Sequence, residues 1–335
     1  MTRYSAVLAA ALVLTGAADA AAQDIGALVR QANNGTVRLT FAARPGVCGD
    51  GETFIATRGW TDDPRERRTI FRESKGNYNI STGSGDWLEH RDCEEGDARV
   101  ALTVANGQVT DVHSYVGKAW PAGQRAHTVS ARSAAAYLLQ VVETGTTHAA
   151  KRALTPIIIA DSVQPTPDLL RIARQQRVSR EVRKSAIFWA GQFGEAGVGE
   201  LSGFITDRDD EVAKSALFAI SQRHTDEAAR TLIGAARNRD LATEVRKSAV
   251  FWLGQVASER ATEGLKQMIG DENTEVKKSA VFALSQMKTE KSLDALIDLA
   301  RNSKDREVRK SALFWLGQSN DPRALALFEE ILLKN

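Results

Sequence analysis

One twelve-residue segment occurs five times in the second half of this 335-residue chain, with little change between copies. Each copy begins with Glu-Val, continues through Lys-Ser-Ala to a Phe, and ends in Gln. Successive copies start 30, 33, 31 and 32 residues apart, a period typical of stacked helical repeats. The copies begin at Glu181, Glu211, Glu244, Glu275 and Glu307.

More variable amphipathic segments lie between the copies, and turns rich in Asp and Asn join several of them to the copy that follows. Such alternation predicts pairs of helices that stack into an α-solenoid. We expect the solenoid to cover residues 129–335. Its parts would be a degenerate first pair at 130–160, kinked by Pro156, then regular repeats at 165–318 and a closing helix at 322–333.

These repeats resemble the HEAT family, specifically the short HEAT-like repeats first described in phycobilisome lyases. The resemblance covers residues 165–335 and rests on an acidic turn followed by Glu-Val-Arg, Ala and Leu-Gly at fixed spacing. One copy carries this pattern at Val245, Arg246, Ala249, Leu253 and Gly254. The resemblance implies stacked helix pairs whose second helices line a concave surface. It leaves function open, because the family contains scaffolds, adaptors, chromophore lyases and a hydroxylase.

The repeated helix has one face that is the same in every copy. At 100° per residue, its Val, Ala and Leu positions face the helical core, while Lys, Phe and Gln share the opposite arc. We predict that this Lys-Phe-Gln face binds a protein partner. Its residues are Lys184, Phe188, Gln192, Lys214, Phe218, Gln222, Lys247, Phe251, Gln255, Lys278, Phe282, Gln286, Lys310, Phe314 and Gln318.

Two interpretations of the Phe residues remain open at this point. Packing against the next repeat would bury most of each ring, since large aromatic side chains are usually buried. A binding stripe would instead leave an apolar centre with a polar rim. For Trp189, Trp252 and Trp315 we predict packing, because they alternate with the small Ala219 and Ala283.

The N-terminus has the pattern of a secretory signal peptide at residues 1–22. Arg3 supplies a positive charge, a short apolar run follows, and Ala-x-Ala sequences end the segment. The presence of two cysteines agrees with export to the periplasm or with secretion. Cys48 and Cys93 are the only two in the chain, and we expect them to form a disulfide in an oxidising compartment.

Residues 24–128 are predicted to form a small β-rich domain, so that the fold class is α+β. Val37, Leu39 and Phe41 alternate with polar residues, as in a half-buried strand. Asn106-Gly107 lies between two alternating runs and predicts a hairpin. We interpret 62–85 as loops with at most a short strand. The glycine-rich turn at 44–51 is expected to be a disulfide-anchored loop, with ligand binding as the alternative.

Several classes of function find little support in the sequence. The net charge of +2 is too small to favour nucleic-acid binding. Deoxyhypusine hydroxylases of the HEAT type hold iron with repeated His-Glu pairs, whereas this chain has only Glu89-His90, outside the repeats. We therefore predict no catalytic residues, no metal, no cofactor and no membrane insertion.

The expected function is that of an exported, monomeric and non-catalytic scaffold or adaptor that binds a protein partner on the concave face. The alternative is an enzyme of the HEAT-like lyase or deoxyhypusine hydroxylase type. The identity of the partner does not follow from the sequence.

Overall fold

A computed structural model describes most of the chain after the N-terminal segment. The described residues are 25–52, 54–57, 68–74, 77–83, 93–192, 196–256, 258–287 and 289–333. The predicted signal peptide at 1–22 and the Glu89-His90 pair lie outside these ranges. The chain divides into two compact units, residues 1–189 and 190–335. The domain limits 24–128 and 129–335 stay a prediction from the sequence.

The first unit begins with helix α1 (residues 25–32) and contains two β-sheets. One sheet has the strand order β8-β7-β1-β9, and the other has the order β5-β4-β3-β2-β6. The strands are β1 Gly35–Phe41, β2 Val47–Gly49, β3 Phe54–Thr57, β4 Arg68–Ser74, β5 Asn77–Gly83, β6 Glu94–Glu95, β7 Ala98–Ala105, β8 Gln108–Tyr115 and β9 His127–Thr128.

The predicted strand and hairpin of the first sheet are confirmed. Val37, Leu39 and Phe41 are buried, and their strand β1 pairs antiparallel with β7. Asn106 and Gly107 both adopt positive φ, at 53° and 70°. Positive φ at both central residues is what a tight type I′ turn between two hairpin strands, here β7 and β8, requires. Helix α2 packs on β1, and α3 packs on β7 and β8, so that the sheet has a helical layer on one face.

The interpretation of residues 62–85 as loops is wrong. This segment contains all of β4 and β5, which pair antiparallel over seven residues each. The missed sequence signal is Gly76, because Gly is one of the residues that mark turns in a sequence. The polar character of both strands concealed the alternation on which strand prediction depends.

The predicted disulfide and the anchored turn beside it are present. Cys48 in β2 is bonded to Cys93, and Gly51 adopts a φ of +80° just after that strand. Arg99 is 5% exposed and donates to the carbonyl oxygen of Gly51 at 2.8 Å. Its guanidinium also lies over the Trp120 ring, at 5.1 Å from the centroid. Disulfide and buried arginine together hold the turn.

The remaining chain is helical, as the repeats predict. In the described residues α3 continues through Pro156 to Ile159. The helices are α2 Ala131–Thr144, α3 Thr147–Ile159, α4 Thr166–Arg174, α5 Arg180–Gln192, α6 Val198–Ser202, α7 Asp210–Ser221, α8 Asp226–Arg237, α9 Thr243–Gln255, α10 Glu259–Met268, α11 Thr274–Gln286, α12 Glu290–Asn302, α13 Arg306–Gly317 and α14 Pro322–Leu333. In the described part of the chain, no helix is both long and apolar enough to span a bilayer.

In the second unit, each first helix packs on the second helix of its own pair, as α8 does on α9 and α10 on α11. The second helices also pack on one another in order, from α7 through α9 and α11 to α13. Buried Val, Ala and Leu residues form the contacts, as with Val245, Ala249 and Leu253 of α9, which are at most 1% exposed. The repeated helix therefore uses its apolar arc as predicted.

A buried ion pair joins consecutive repeats. Arg246 is 5% exposed and donates through Nε to the carbonyl oxygen of Ala236, 2.9 Å away, at the end of α8. Its other end forms a salt bridge with Asp271, in the turn before α11. Burial opposes ionisation of Asp271, but the N–H of Asn273 and the charge of Arg246 bring the pKa of that carboxyl below its ordinary value.

A polar cluster joins α3 to the edge strand β8 in the first unit. The Asp111 carboxylate lies 2.9 Å from Nε2 of His113, 3.0 Å from Nε2 of His148 and 3.0 Å from Nε of Arg152. Arg152 also donates to the carbonyl oxygen of Val112 at 2.8 Å. Burial opposes ionisation of Asp111, yet Arg152 and the Val112 N–H hold its pKa below the ordinary value.

Replacing Arg246 with Met should destabilise the second unit by about 2–3 kcal/mol, because it removes the bond to Ala236 and leaves the mostly buried carboxylate of Asp271 without its charged partner. Urea unfolding measures this difference. Arg260→Met is the matched control, since Arg260 forms an exposed pair with Asp226 and its loss should cost less than about 1 kcal/mol. Equal costs for the two variants would contradict the role assigned to the buried pair.

Replacing Asp111 with Asn should lower the melting temperature at neutral pH, with a difference that shrinks as the pH falls below about 4. The reason is that a carboxyl with a depressed folded pKa stabilises the fold only while it is ionised. Thermal unfolding from about pH 7 to pH 3 measures the trend. Asp226→Asn, at an exposed carboxylate, serves as the control. A difference that stayed constant with pH would contradict the electrostatic account.

Candidate functional site

The Lys-Phe-Gln face consists of one Lys, one Phe and one Gln from each of the second helices α5, α7, α9, α11 and α13. Within each helix the three residues are four apart, so their side chains lie on the same side. Lys184 and Phe188 belong to the first unit, and the other thirteen predicted residues belong to the second. The geometry below is that of the second unit.

Six aromatic rings of the second unit form a continuous row, which we call the aromatic band. Phe218 contacts Trp252 with ring centroids 4.8 Å apart, and Trp252 contacts Phe251 at the same distance. Phe251 stacks on Phe282 at 6.4 Å. The band continues from Phe282 to Trp315 at 4.9 Å and from Trp315 to Phe314 at 5.0 Å. Three of these five contacts join neighbouring repeats, and the other two join a Phe and a Trp of the same helix.

The rings of the band are neither fully packed nor fully open. Phe251 is 37% exposed and Phe314 is 57% exposed, while Phe218 and Phe282 are half-buried. Of the two open interpretations, packing against the next repeat does not bury most of the Phe314 side chain. Phe251 and Phe314 thus contact neighbouring rings while part of each side chain stays at the surface.

Two tryptophans that sequence reasoning assigned to packing also belong to the band. Trp189, at 3% exposure, is packed as predicted, but Trp252 and Trp315 are only half-buried. Each of these two follows a Phe of the band directly in sequence. Since consecutive residues on a helix are 100° apart, a Trp in that place lies at the border of the Lys-Phe-Gln face. The position of each Trp directly after a Phe was therefore the sequence signal that could have assigned it to the aromatic band.

The alternation of Trp with Ala has a structural cause. Helices with Trp also carry a Gly two residues later, and the Ala of the following helix packs against that Gly. A Cβ on Gly254 would lie 3.0 Å from Cβ of Ala283 and 3.2 Å from its carbonyl oxygen. A Cβ on Gly191 would approach Ala219 to 2.8 Å. The packing therefore has a period of two repeats, in which close Gly–Ala contact alternates with Phe–Trp contact.

The lysines of the face are engaged by glutamates. Lys214 lies 2.7 Å from Glu211, and Lys247 lies 3.0 Å from Glu244. The hydrogen bond from Lys214 to Glu211 raises the pKa of that ammonium group above its ordinary value. Lys278 has carboxylate oxygens at 3.8 Å in its own helix and at 3.7 Å in Glu307 of the next. The lysine row therefore lies beside a matching row of opposite charge.

A cavity of about 700 Å³ opens at the C-terminal end of the aromatic band. Trp315, Gln318 and Gln286 line one side, and Leu293 and Leu296 of α12 line the other. It has the size of sites that receive a small molecule or a large side chain.

In the described residues, no group of three or more His, Cys, Asp or Glu side chains is arranged to hold a metal ion.

Comparison with protein families agrees with the prediction that the repeats are of the HEAT type. The family described as HEAT repeats matches residues 237–315, and the PBS lyase HEAT-like repeat matches residues 308–334. No curated protein matches the sequence.

Three solved structures illustrate what the chain is similar to. An engineered protein shares 21% identity, with 56% of this chain and 62% of that protein covered and a TM-score of 0.32. Human deoxyhypusine hydroxylase in complex with glycerol shares 21%, with coverage of 60% and 75% and a TM-score of 0.31. The complex of CpcE and CpcF of phycocyanin lyase from Nostoc sp. PCC7120 shares 15%, with coverage of 60% and 80% and a TM-score of 0.36.

The chain spans somewhat less than two thirds of the engineered protein. The family matches and the stacked helix pairs together show that the C-terminal part of this chain is built from HEAT repeats.

Proposed function

We propose that this protein is an exported, non-catalytic scaffold or adaptor that binds a protein partner through the Lys-Phe-Gln face. The observation that carries the proposal is the aromatic band. Phe251 and Phe314 keep 37% and 57% of their surface exposed, although folding buries most large apolar side chains. A row of half-open aromatic rings with a polar rim has the composition of protein interfaces, in which aromatic residues are enriched.

Export to the periplasm, or secretion, is part of the proposal. It is supported by the signal-peptide pattern of residues 1–22 and by the disulfide between Cys48 and Cys93. Disulfides persist in oxidising compartments and are rare in the cytosol.

Replacing Phe251 and Phe314 with Ala should abolish recovery of the partner when the exported protein is captured from cells by affinity. Because both rings are partly exposed, the melting temperature should fall by only a few degrees, on the order of a surface substitution. Leu325→Ala is the control, since Leu325 is an exposed apolar residue on α14, away from the face. Undiminished recovery with the double variant would contradict the proposal.

The alternative is an enzyme of the HEAT-like lyase or hydroxylase type. Metal analysis of the purified protein distinguishes the hydroxylase from a scaffold. We expect no stoichiometric iron, because the helices of the repeats lack the His-Glu pairs that hold it in HEAT-type hydroxylases. One or two irons per chain would favour the hydroxylase.

A further inference from the structure

Two alternate repeats of the second unit, those of α9 and α13, carry side-chain donors on the Lys-Phe-Gln face that bond to no acceptor among the described residues. The indole N–H groups of Trp252 and Trp315 donate to nothing in the described chain, and neither do the side-chain amides of Gln255 and Gln318. The helices between them differ, because there the Gln amide donates to the Ser before it, as Gln286 does to Ser285 at 3.2 Å. Unused donors therefore recur with the two-repeat period of the packing.

These donors lie beside aromatic rings. A surface that combines donors with aromatic rings is suited to bind a ligand peptide whose backbone carbonyl groups are free to accept hydrogen bonds. Trp252 contacts Phe218 and Phe251, while Trp315 contacts Phe282 and Phe314. A polyproline II helix has no internal hydrogen bonds, so its carbonyl oxygens are available to accept. Proteins that bind such helices use aromatic-lined grooves, on which the pyrrolidine rings pack.

The spacing of the repeats also fits a polyproline II helix. Packed helices lie about 8–10 Å apart, so equivalent residues of neighbouring repeats are separated by about that distance. One turn of polyproline II contains three residues and rises about 9.3 Å. Each turn of the ligand therefore presents the same side to each repeat. A β-strand would not do so, because three of its residues also span about 10 Å and reverse the direction of the side chain.

The charges on the face favour a ligand without charge. Four lysines and four glutamates line the band in the second unit, so the formal charges cancel. Three of the lysines lie within ion-pair distance of these glutamates. An acidic or basic ligand would have to compete with these pairs. The complementary ligand is uncharged.

We propose that the aromatic band binds an uncharged, proline-rich segment of a partner protein in the polyproline II conformation. This inference rests on the proposed function and specifies the chemistry of the partner. Trp252 and Trp315 donate to ligand carbonyls two turns apart, and pyrrolidine rings pack between the aromatic side chains. The cavity beside Trp315 and Gln318 receives a side chain at one end of the segment.

The test is titration of the full chain into a fluorescein-labelled twelve-residue oligoproline, followed by fluorescence anisotropy. We expect saturable binding that changes little between about 0.05 and 0.5 M salt, because no net charge is involved. The double variant Trp252→Phe, Trp315→Phe keeps aromatic rings and loses both N–H donors. Its affinity should fall about tenfold or more, as expected for two lost hydrogen bonds. Trp189→Phe, at a buried ring, should leave the affinity unchanged.

Three results would overturn the inference: no binding of oligoproline, equal binding of a Gly-Ser peptide of the same length, or tighter binding of an acidic peptide. Binding of a chito-oligosaccharide in place of oligoproline, with the same dependence on Trp252 and Trp315, would also overturn it and indicate a glycan ligand. If oligoproline fails while Phe251→Ala, Phe314→Ala still abolishes partner recovery, the scaffold function stands and only the ligand class is wrong.

Discussion

The contact between a tryptophan of one repeat and a phenylalanine of the repeat before it is the interaction on which the arrangement of the second helices depends. Trp252 lies between Phe218 and Phe251, and Trp315 lies between Phe282 and Phe314. A large ring at one contact requires a small residue at the next, because helices in a stack keep a nearly constant separation. Gly254 against Ala283 meets that requirement.

This two-repeat period has a consequence for function. The rings that pack across repeats on this face are not buried completely, and Phe251 and Phe314 remain exposed. The ring contacts that pack the repeats against one another thereby leave an aromatic surface. The packing and binding interpretations of the Phe residues are therefore compatible. The ion pairs beside the band remove net charge from its border, which directs recognition toward shape and hydrogen bonding.

The helical repeats and the residues of the Lys-Phe-Gln face could be predicted from the sequence, because both depend on local spacing. Residues four apart on a helix share a face, which suffices to group Lys247, Phe251 and Gln255. The pairing of Lys247 with Glu244, three residues earlier, was equally available and was missed. Which ring contacts which across repeats could not be predicted, since it depends on the distance and rotation between helices. The strands β4 and β5 escaped prediction because their polar sequences carry little alternation.

Hydroxyl-radical footprinting of the protein, alone and bound to its captured partner, tests the central claim most directly. The account predicts that oxidation of Phe251, Trp252, Phe314 and Trp315 falls on binding, while exposed residues outside the second helices, such as Arg230 and Leu325, keep their reactivity. Protection of the first helices, with the aromatic band still open to oxidation, would contradict it and place the binding surface on the opposite side of the repeats.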